Sequence, residues 1–232
     1  LPASVGAVSG DMTIEAWVYA NGTPGSYARI VDFGNGMSSS NVLLCFSDTT
    51  GKLRFDAYNG STYLGAVIAA EPLAINSWQH VVASVSGTSV TFYVNGQAIA
   101  LDPSYTTLTG AITGNSRSLN YVGRSNWAGN AYFNGQIADL RIYDYARSAS
   151  QVASDLAGVV DTSDSQLLGY YPFNNTAASG LSGGTAATLN AGPGYADFTD
   201  VQLNADTGRS AADLTTSTAA QTLRGRLSQS LV

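Results

Sequence analysis

Val81-Val82-Ala83-Ser84-Val85-Ser86-Gly87-Thr88-Ser89-Val90-Thr91-Phe92-Tyr93-Val94-Asn95-Gly96 reads as two strands and two turns. Val81, Ala83 and Val85 share one face, Ser86-Gly87-Thr88-Ser89 supplies a turn of about four residues, and Val90, Phe92 and Val94 resume the alternation. Asn95-Gly96 then makes the next tight turn. The same period of two extends to either side. Ile14, Ala16 and Val18 alternate against Thr13, Glu15, Trp17 and Tyr19, while Val42, Leu44 and Phe46 precede a hairpin partner, Leu53, Phe55 and Ala57, beyond the turn at Thr50-Gly51. On that partner strand Lys52, Arg54, Asp56 and Tyr58 take the opposite face. Further on, Leu140 and Ile142 point one way and Ile137, Asp139, Arg141 and Tyr143 the other, which predicts a charged stripe facing out. Short alternating segments separated by Gly, Asn and Ser predict an all-β sandwich of two antiparallel sheets.

One short helix interrupts this pattern at about 149–157. Ser148 with Gln151 three residues later fits a capping box, Val152 and Leu156 are spaced i,i+4, and Gly158 stands where a C′ residue belongs. Gln166 to Phe173 returns to strand character, and Ala177 to Gly194 reads as a small-residue loop. The expected division is a domain over 1–200 and an Ala/Thr/Ser-rich arm or linker, in part helical, over 201–232.

Composition narrows the function classes. The 232 residues suit one large all-β domain with an appendage, and 44% hydrophobic residues supply a core. Charged residues are only 11%, Lys52 is the single lysine, and the net charge of -6 offers no basic stripe for phosphates, so nucleic acid is excluded as a partner. Cys45 stands alone, which rules out an internal disulfide. No run of ~18 apolar residues occurs, so no transmembrane segment is expected. The start at Leu1, without Met or a signal-like segment, fits a processed chain or a piece of a longer polypeptide with neighbouring domains.

Five stretches in order carry a family resemblance: Met12-Thr13-Ile14-Glu15-Ala16-Trp17-Val18, Asn76-Ser77-Trp78-Gln79-His80-Val81-Val82, Phe92-Tyr93-Val94-Asn95-Gly96, Tyr121-Val122-Gly123-Arg124, and the run from Phe133 to Tyr143. Together they resemble the laminin G-like or pentraxin-like domains of the concanavalin A-like jelly-roll superfamily, over roughly residues 10–157. The resemblance implies a jelly roll with the helix in its closing segment. One departure stands out: a strand like Leu168-Gly169-Tyr170-Tyr171-Pro172-Phe173-Asn174, which commonly opens such domains, here follows the helix. Either it closes the sandwich or it begins a neighbour, and closure is the favoured expectation because an uncovered edge invites aggregation.

Glycosidases on this fold need paired carboxylates on one strand, yet the only glutamates, Glu15 and Glu71, lie in different segments. His80, the single histidine, reads as a satisfied strand residue rather than a lyase base, and Cys45 as a buried thiol. Trp17 and Trp78 fall within strand motifs and are expected in core packing. Trp127 differs, because it sits in the polar loop from Arg124 to Tyr132. An indole there offers a platform for a sugar ring, with Arg124, Asn126, Asn130 and Tyr132 as neighbours that hydrogen-bond hydroxyls, and Asn35 in the loop Asp32–Asn41 on the same rim. The competing reading folds Trp127 over the sandwich edge. Ca²⁺ is the one cofactor implied by the resemblance: Asp139 is similar to a last-strand metal ligand of related domains, against the alternative of an ion pair with Arg141 or Arg54.

The expected function is therefore a non-catalytic recognition domain, carbohydrate-binding or adhesive, within a larger secreted or cell-surface protein of bacterial type. A glycan or cell-surface ligand is the expected partner. The alternatives are an interaction or spacer module without a sugar site, and a divergent carbohydrate-active enzyme.

Overall fold

The computed structural model describes residues 1–156, 158, 160–174 and 176–188, and two further strands, Phe198–Leu203 and Leu223–Leu227, as backbone. Eleven strands build the sandwich: β1 (Met12–Ala20), β2 (Arg29–Gly34), β3 (Val42–Phe46), β4 (Lys52–Asn59), β5 (Thr62–Pro72), β6 (Trp78–Ser86), β7 (Ser89–Val94), β8 (Gln97–Ala98), β9 (Leu119–Val122), β10 (Gly135–Tyr143) and β11 (Leu167–Tyr171). They form a six-stranded sheet in the order β11-β10-β1-β6-β7-β8 and a five-stranded sheet in the order β5-β4-β3-β2-β9, with every neighbour antiparallel. This is the two-sheet antiparallel sandwich that the alternation predicts, and it is consistent with the jelly roll that the resemblance implies.

The local chemistry of the turns sets the registers. Ser86 pairs with Ser89, so the loop tightens to Gly87 and Thr88, two residues rather than the expected four. Asn95 and Gly96 both hold positive φ, 49° and 79°, the backbone twist that a two-residue hairpin between Val94 and Gln97 requires. Ile14, Ala16 and Val18 of β1, with Val81, Ala83 and Val85 of β6, bury against Phe33, Val42, Leu44, Phe46 and Phe55 of the other sheet in one continuous apolar core. Burial of this kind, at about 25 cal/mol per Å² of apolar surface, is the main force holding the two sheets face to face.

The charged stripe expected on β10 faces outward only in part, and there it is covered. Glu15 pairs with Arg141 and Trp17 with Ala138, so two β10 residues, Asp139 and Leu140, oppose Ala16 alone. This bulge, with Asp139 at φ 53°, reverses parity: Ile137 turns to the core side opposite Val18, while Arg141 and Tyr143 stay on the outer face. Both are nevertheless buried, because helix α1 (Ala149–Leu156) lies against that face. Val152 of α1 packs with Val82 and Tyr93 in a small second cluster. The helix begins as its capping box predicts: the Ser148 amide donates to Gln151 Oε1 at 2.9 Å, and the Gln151 amide donates to Ser148 Oγ at 3.4 Å.

Strand β11 sits at the sheet edge beside β10, with Leu140 opposite Tyr171 and Ile142 opposite Gly169. Phe198–Leu203 (β12) and Leu223–Leu227 (β13) pair antiparallel with each other, so part of the segment expected as a linker or helical arm is strand. The rest of that arm, and the end of the expected loop before Gly194, lie outside the described residues.

One side chain ties the chain's start to two loops. Arg117 is fully buried and donates to the carbonyls of Gly6 (2.8 Å), Val8 (2.8 Å), Ser40 (2.5 Å), Asn115 (3.3 Å) and Thr113 (3.4 Å). It faces no carboxylate among the described residues, and burial lowers its pKa to about 10.

Candidate functional site

The outer face of the five-stranded sheet carries the polar half of the β2 and β4 alternation. A bulge between Arg29 and Val31 keeps Ile30, Val31 and Phe33 in the core and turns Arg29 and Asp32 outward. Asp32 is nonetheless completely buried, because the loop from Arg124 to Tyr132 folds over it. Its Oδ1 accepts from Asn41 Nδ2 (3.0 Å) and Asn126 Nδ2 (2.8 Å). Its Oδ2 accepts from the Asn126 amide (2.9 Å), Arg29 Nε (3.3 Å) and Ser125 Oγ (3.5 Å). A buried carboxylate is tolerated only when its lone pairs are filled in this way.

This anchor presents Trp127 half-buried over the sheet. The Arg29 guanidinium lies 5.3 Å from the indole centroid, and the Tyr58 ring 5.9 Å away. Ser125 Oγ accepts from the Trp127 amide (2.9 Å) and from Asn130 Nδ2 (3.2 Å), which closes the loop on itself. Between the loop and the sheet edge runs a groove of about 260 Å³ bordered by Gly36, Tyr121, Arg124, Asn126, Trp127 and Tyr132. A second hollow of about 450 Å³ lies beyond and shares Tyr121, Arg124 and Tyr132 with the first.

Arg124, Asn126, Trp127, Asn130 and Tyr132 are thus brought together at one groove, with Tyr132 48% exposed at its lip. Asn35 is not among the lining residues. Its Nδ2 donates to the Ser116 carbonyl (2.6 Å), and its Oδ1 accepts from the amide and hydroxyl of Ser118, so it splices two loops. Asn126 is also largely committed, since Nδ2 serves Asp32 and the Leu119 carbonyl. Sequence reasoning missed Tyr121, Tyr58 and the anchor Asp32. Parity already placed Tyr58 on the outer face with Arg54 and Asp56, whereas nothing in a lone Asp signals an anchor.

Asp139 does not fit a Ca²⁺ ligand. Its Oδ1 lies 3.3 Å from Arg141 Nε and its Oδ2 2.5 Å from Arg141 Nη2, so a fixed guanidinium occupies the direction a cation would need. Among the described residues no three His, Cys, Asp or Glu side chains are grouped to hold a metal. The ion pair with Arg141 is the reading the geometry supports.

Beneath α1 lies a buried ionic network. Glu15 Oε1 is 2.9 Å from both His80 Nε2 and Arg141 Nη1, and Arg147 pairs with Asp155 at 2.5 Å. Burial, followed by the charge of Glu15, raises the Asp155 carboxyl to about 6. Glu15 Oε2 and His80 Nδ1 are buried without a hydrogen-bond partner. Cys45 is fully buried, which pushes its thiol up to about 12. Trp17 and Trp78 are not core residues, contrary to expectation. They sit half-buried on the outer face of the six-stranded sheet, Trp17 against His80 (5.3 Å between centroids) and Trp78 against Tyr19 (5.7 Å). Their strands put apolar aliphatics inward, and the tryptophans take the opposite parity.

Among curated proteins none matches this sequence. Solved structures do. Domain 4 of AbnA, an extracellular GH43 arabinanase from Geobacillus stearothermophilus solved with arabinotriose, aligns at TM-score 0.51 and 21% identity, covering 68% of this chain and 70% of that one. The CBM40 of the Ruminococcus gnavus IT-sialidase, solved with α2,3-sialyllactose, aligns at TM-score 0.50 and 17% identity over 66% and 85%. A Bacteroides ovatus protein crystallised under a provisional carbohydrate-binding label aligns at TM-score 0.47 and 19% identity over 70% of this chain. The chain spans only 45% of its length. At these identities the likeness is one of fold. A laminin G-type family model, described as the concanavalin A-like lectin/glucanases superfamily, matches residues 1–153, and the chain belongs to that family.

Proposed function

We propose that this protein is a non-catalytic glycan-recognition module whose ligand lies along the groove between Trp127 and Tyr132. The observation that carries the reading is the pairing of a rigid anchor with a partly open aromatic. The loop is fixed by the bonds to Asp32, yet the indole it presents stays half-buried and lines the groove beside amide, hydroxyl and guanidinium groups. Sugar rings stack on aromatic faces through their C–H surfaces, while their hydroxyls need donors and acceptors of this kind. Preorganisation lowers the entropy that binding must overcome. The arabinotriose and sialyllactose complexes of the two fold relatives support a sugar ligand for this architecture.

Among the described residues no carboxylates are paired at the groove, which favours binding over hydrolysis. Glu15 is committed beneath α1 on the other sheet, Glu71 lies on β5, and Asp32 is saturated. No helix among the described residues is long and apolar enough to cross a membrane. The hydroxyl-rich, lysine-poor composition and the extracellular arabinanase relative support a secreted or cell-surface bacterial setting, with further domains in the parent polypeptide.

A glycan array followed by calorimetry on the best hit tests the reading. Trp127→Ala is expected to weaken binding by about 2 kcal/mol or more, as loss of a central stacked aromatic does. Unchanged affinity together with a marked loss of stability assigns Trp127 to edge packing and favours a spacer module.

A further inference from the structure

Among the residues whose side chains are described, seven are Lys or Arg, and six of these have their charge answered within the protein. Arg29 faces Asp32, Lys52 faces Asp102, Arg54 faces Asp56, Arg141 faces Glu15 and Asp139, and Arg147 faces Asp155. Arg117 is wrapped by backbone carbonyls. Arg124 is the exception. It is exposed, forms no ion pair or hydrogen bond with the described residues, and lies with its Cζ 4.6 Å from the Tyr121 ring centroid. That stacking holds the guanidinium plane in place while leaving its N–H groups free, at the border shared by both hollows.

The charge balance of the groove follows directly. Asp32 and Arg29 cancel beneath the loop, and Tyr121, Asn126, Trp127, Asn130 and Tyr132 are neutral, so among the described residues Arg124 leaves the groove with one uncompensated positive charge. In a chain of net charge -6, an exposed and unanswered cation at a concave site is the place where an anion gains most. A guanidinium meets a carboxylate or sulfate with two parallel N–H···O bonds, each about twice as strong as a neutral one. We propose that the ligand carries an anionic group, a carboxylate or sulfate ester on a sugar ring, and that Arg124 selects it. This inference rests on the glycan-binding reading above.

The test uses oligosaccharides matched in length and linkage and built from galactose, galacturonate or 6-O-sulfogalactose units. Calorimetry on the whole chain is expected to give at least tenfold tighter binding of one acidic member than of the neutral one, with the advantage shrinking in 0.5 M NaCl. Whichever acidic member wins identifies the group. Arg124→Gln is expected to bring the acidic-to-neutral ratio to about one, and Arg124→Lys to retain part of it. Equal wild-type affinities for neutral and acidic members overturn the inference but leave glycan binding standing, as does a ratio that survives Arg124→Gln. Binding of none of the three overturns both.

Discussion

Asp32 and Asn126 are joined twice: the Asn126 backbone amide donates to one carboxylate oxygen at 2.9 Å and its side-chain amide to the other at 2.8 Å. The two residues lie 94 positions apart, and this clasp fixes where the loop crosses the sheet.

Replacing Asp32 should therefore loosen the loop as well as the fold. Asp32→Asn keeps the shape but turns an NH₂ toward groups that donate, and it leaves Arg29 buried without a counter-charge. The expected cost is about 3 kcal/mol in denaturant unfolding, near the range for breaking a buried pair. Glycan affinity should fall with it. A loss below ~1 kcal/mol would mean that other contacts hold the loop.

Ca²⁺ should leave stability unchanged. Melting temperatures measured with Ca²⁺ and with EDTA are expected to agree, because a ligand stabilises only by binding the native state and Arg141 already occupies Asp139. A rise with Ca²⁺ that vanishes in Asp139→Ala would instead restore the metal site.

The carboxyl of Asp155 titrates at about 6, raised by burial first and by Glu15 second. A carboxyl with a raised folded pKa binds its proton more tightly in the native state. Its stabilising contribution is therefore full below the unfolded value of 3.8 and is lost as pH rises through 6. The stability difference between wild type and Asp155→Asn should fall between about pH 4 and 6 and then level off. A flat difference across that window would show that Asp155 ionises normally.

Gly135 opens β10 where no side chain fits. A Cβ there would stand 2.0 Å from the Tyr19 carbonyl oxygen and 2.8 Å from the Phe133 ring. The backbone of β1 cannot retreat without breaking its register, so Gly135→Ala should cost about 3 kcal/mol or more. At Gly60, whose added Cβ would meet nothing within 4 Å, the same change should cost only about 1 kcal/mol from its positive φ. Equal losses at the two positions would refute the steric account.

The strands were legible because period-two burial is written directly in residues such as Val81, Ala83 and Val85. Parity failed where a bulge intervened. The sequence from Ile137 to Tyr143 alternates on paper, but the extra residue at Asp139 sends Ile137 inward, and α1 buries the arginine that alternation left outside. Trp17 and Trp78 misled for a related reason: a large aromatic suggests a core, yet their strands had already filled the inner face with aliphatics. At the groove the residue types were readable and their commitments were not. Asn35 and Asn126 look like ligand donors until their amides are seen bonded to Ser116, Leu119 and Asp32.

Arg117 bears on how the rim could change over generations. Its acceptors are main-chain oxygens at residues 6, 8, 40, 113 and 115, and every amino acid supplies that atom. Arg117's own hold on the 35–41 and 113–118 segments is therefore indifferent to the side chains at its acceptor positions, while Asn35 and Asn41 add side-chain ties of their own. Insertions there would unseat the carbonyls, whereas point substitutions away from Asn35 and Asn41 would leave them in place. Arg117 thus moors these loops through atoms that every residue carries, so a lineage could alter much of what the rim touches while that part of the frame stays constant.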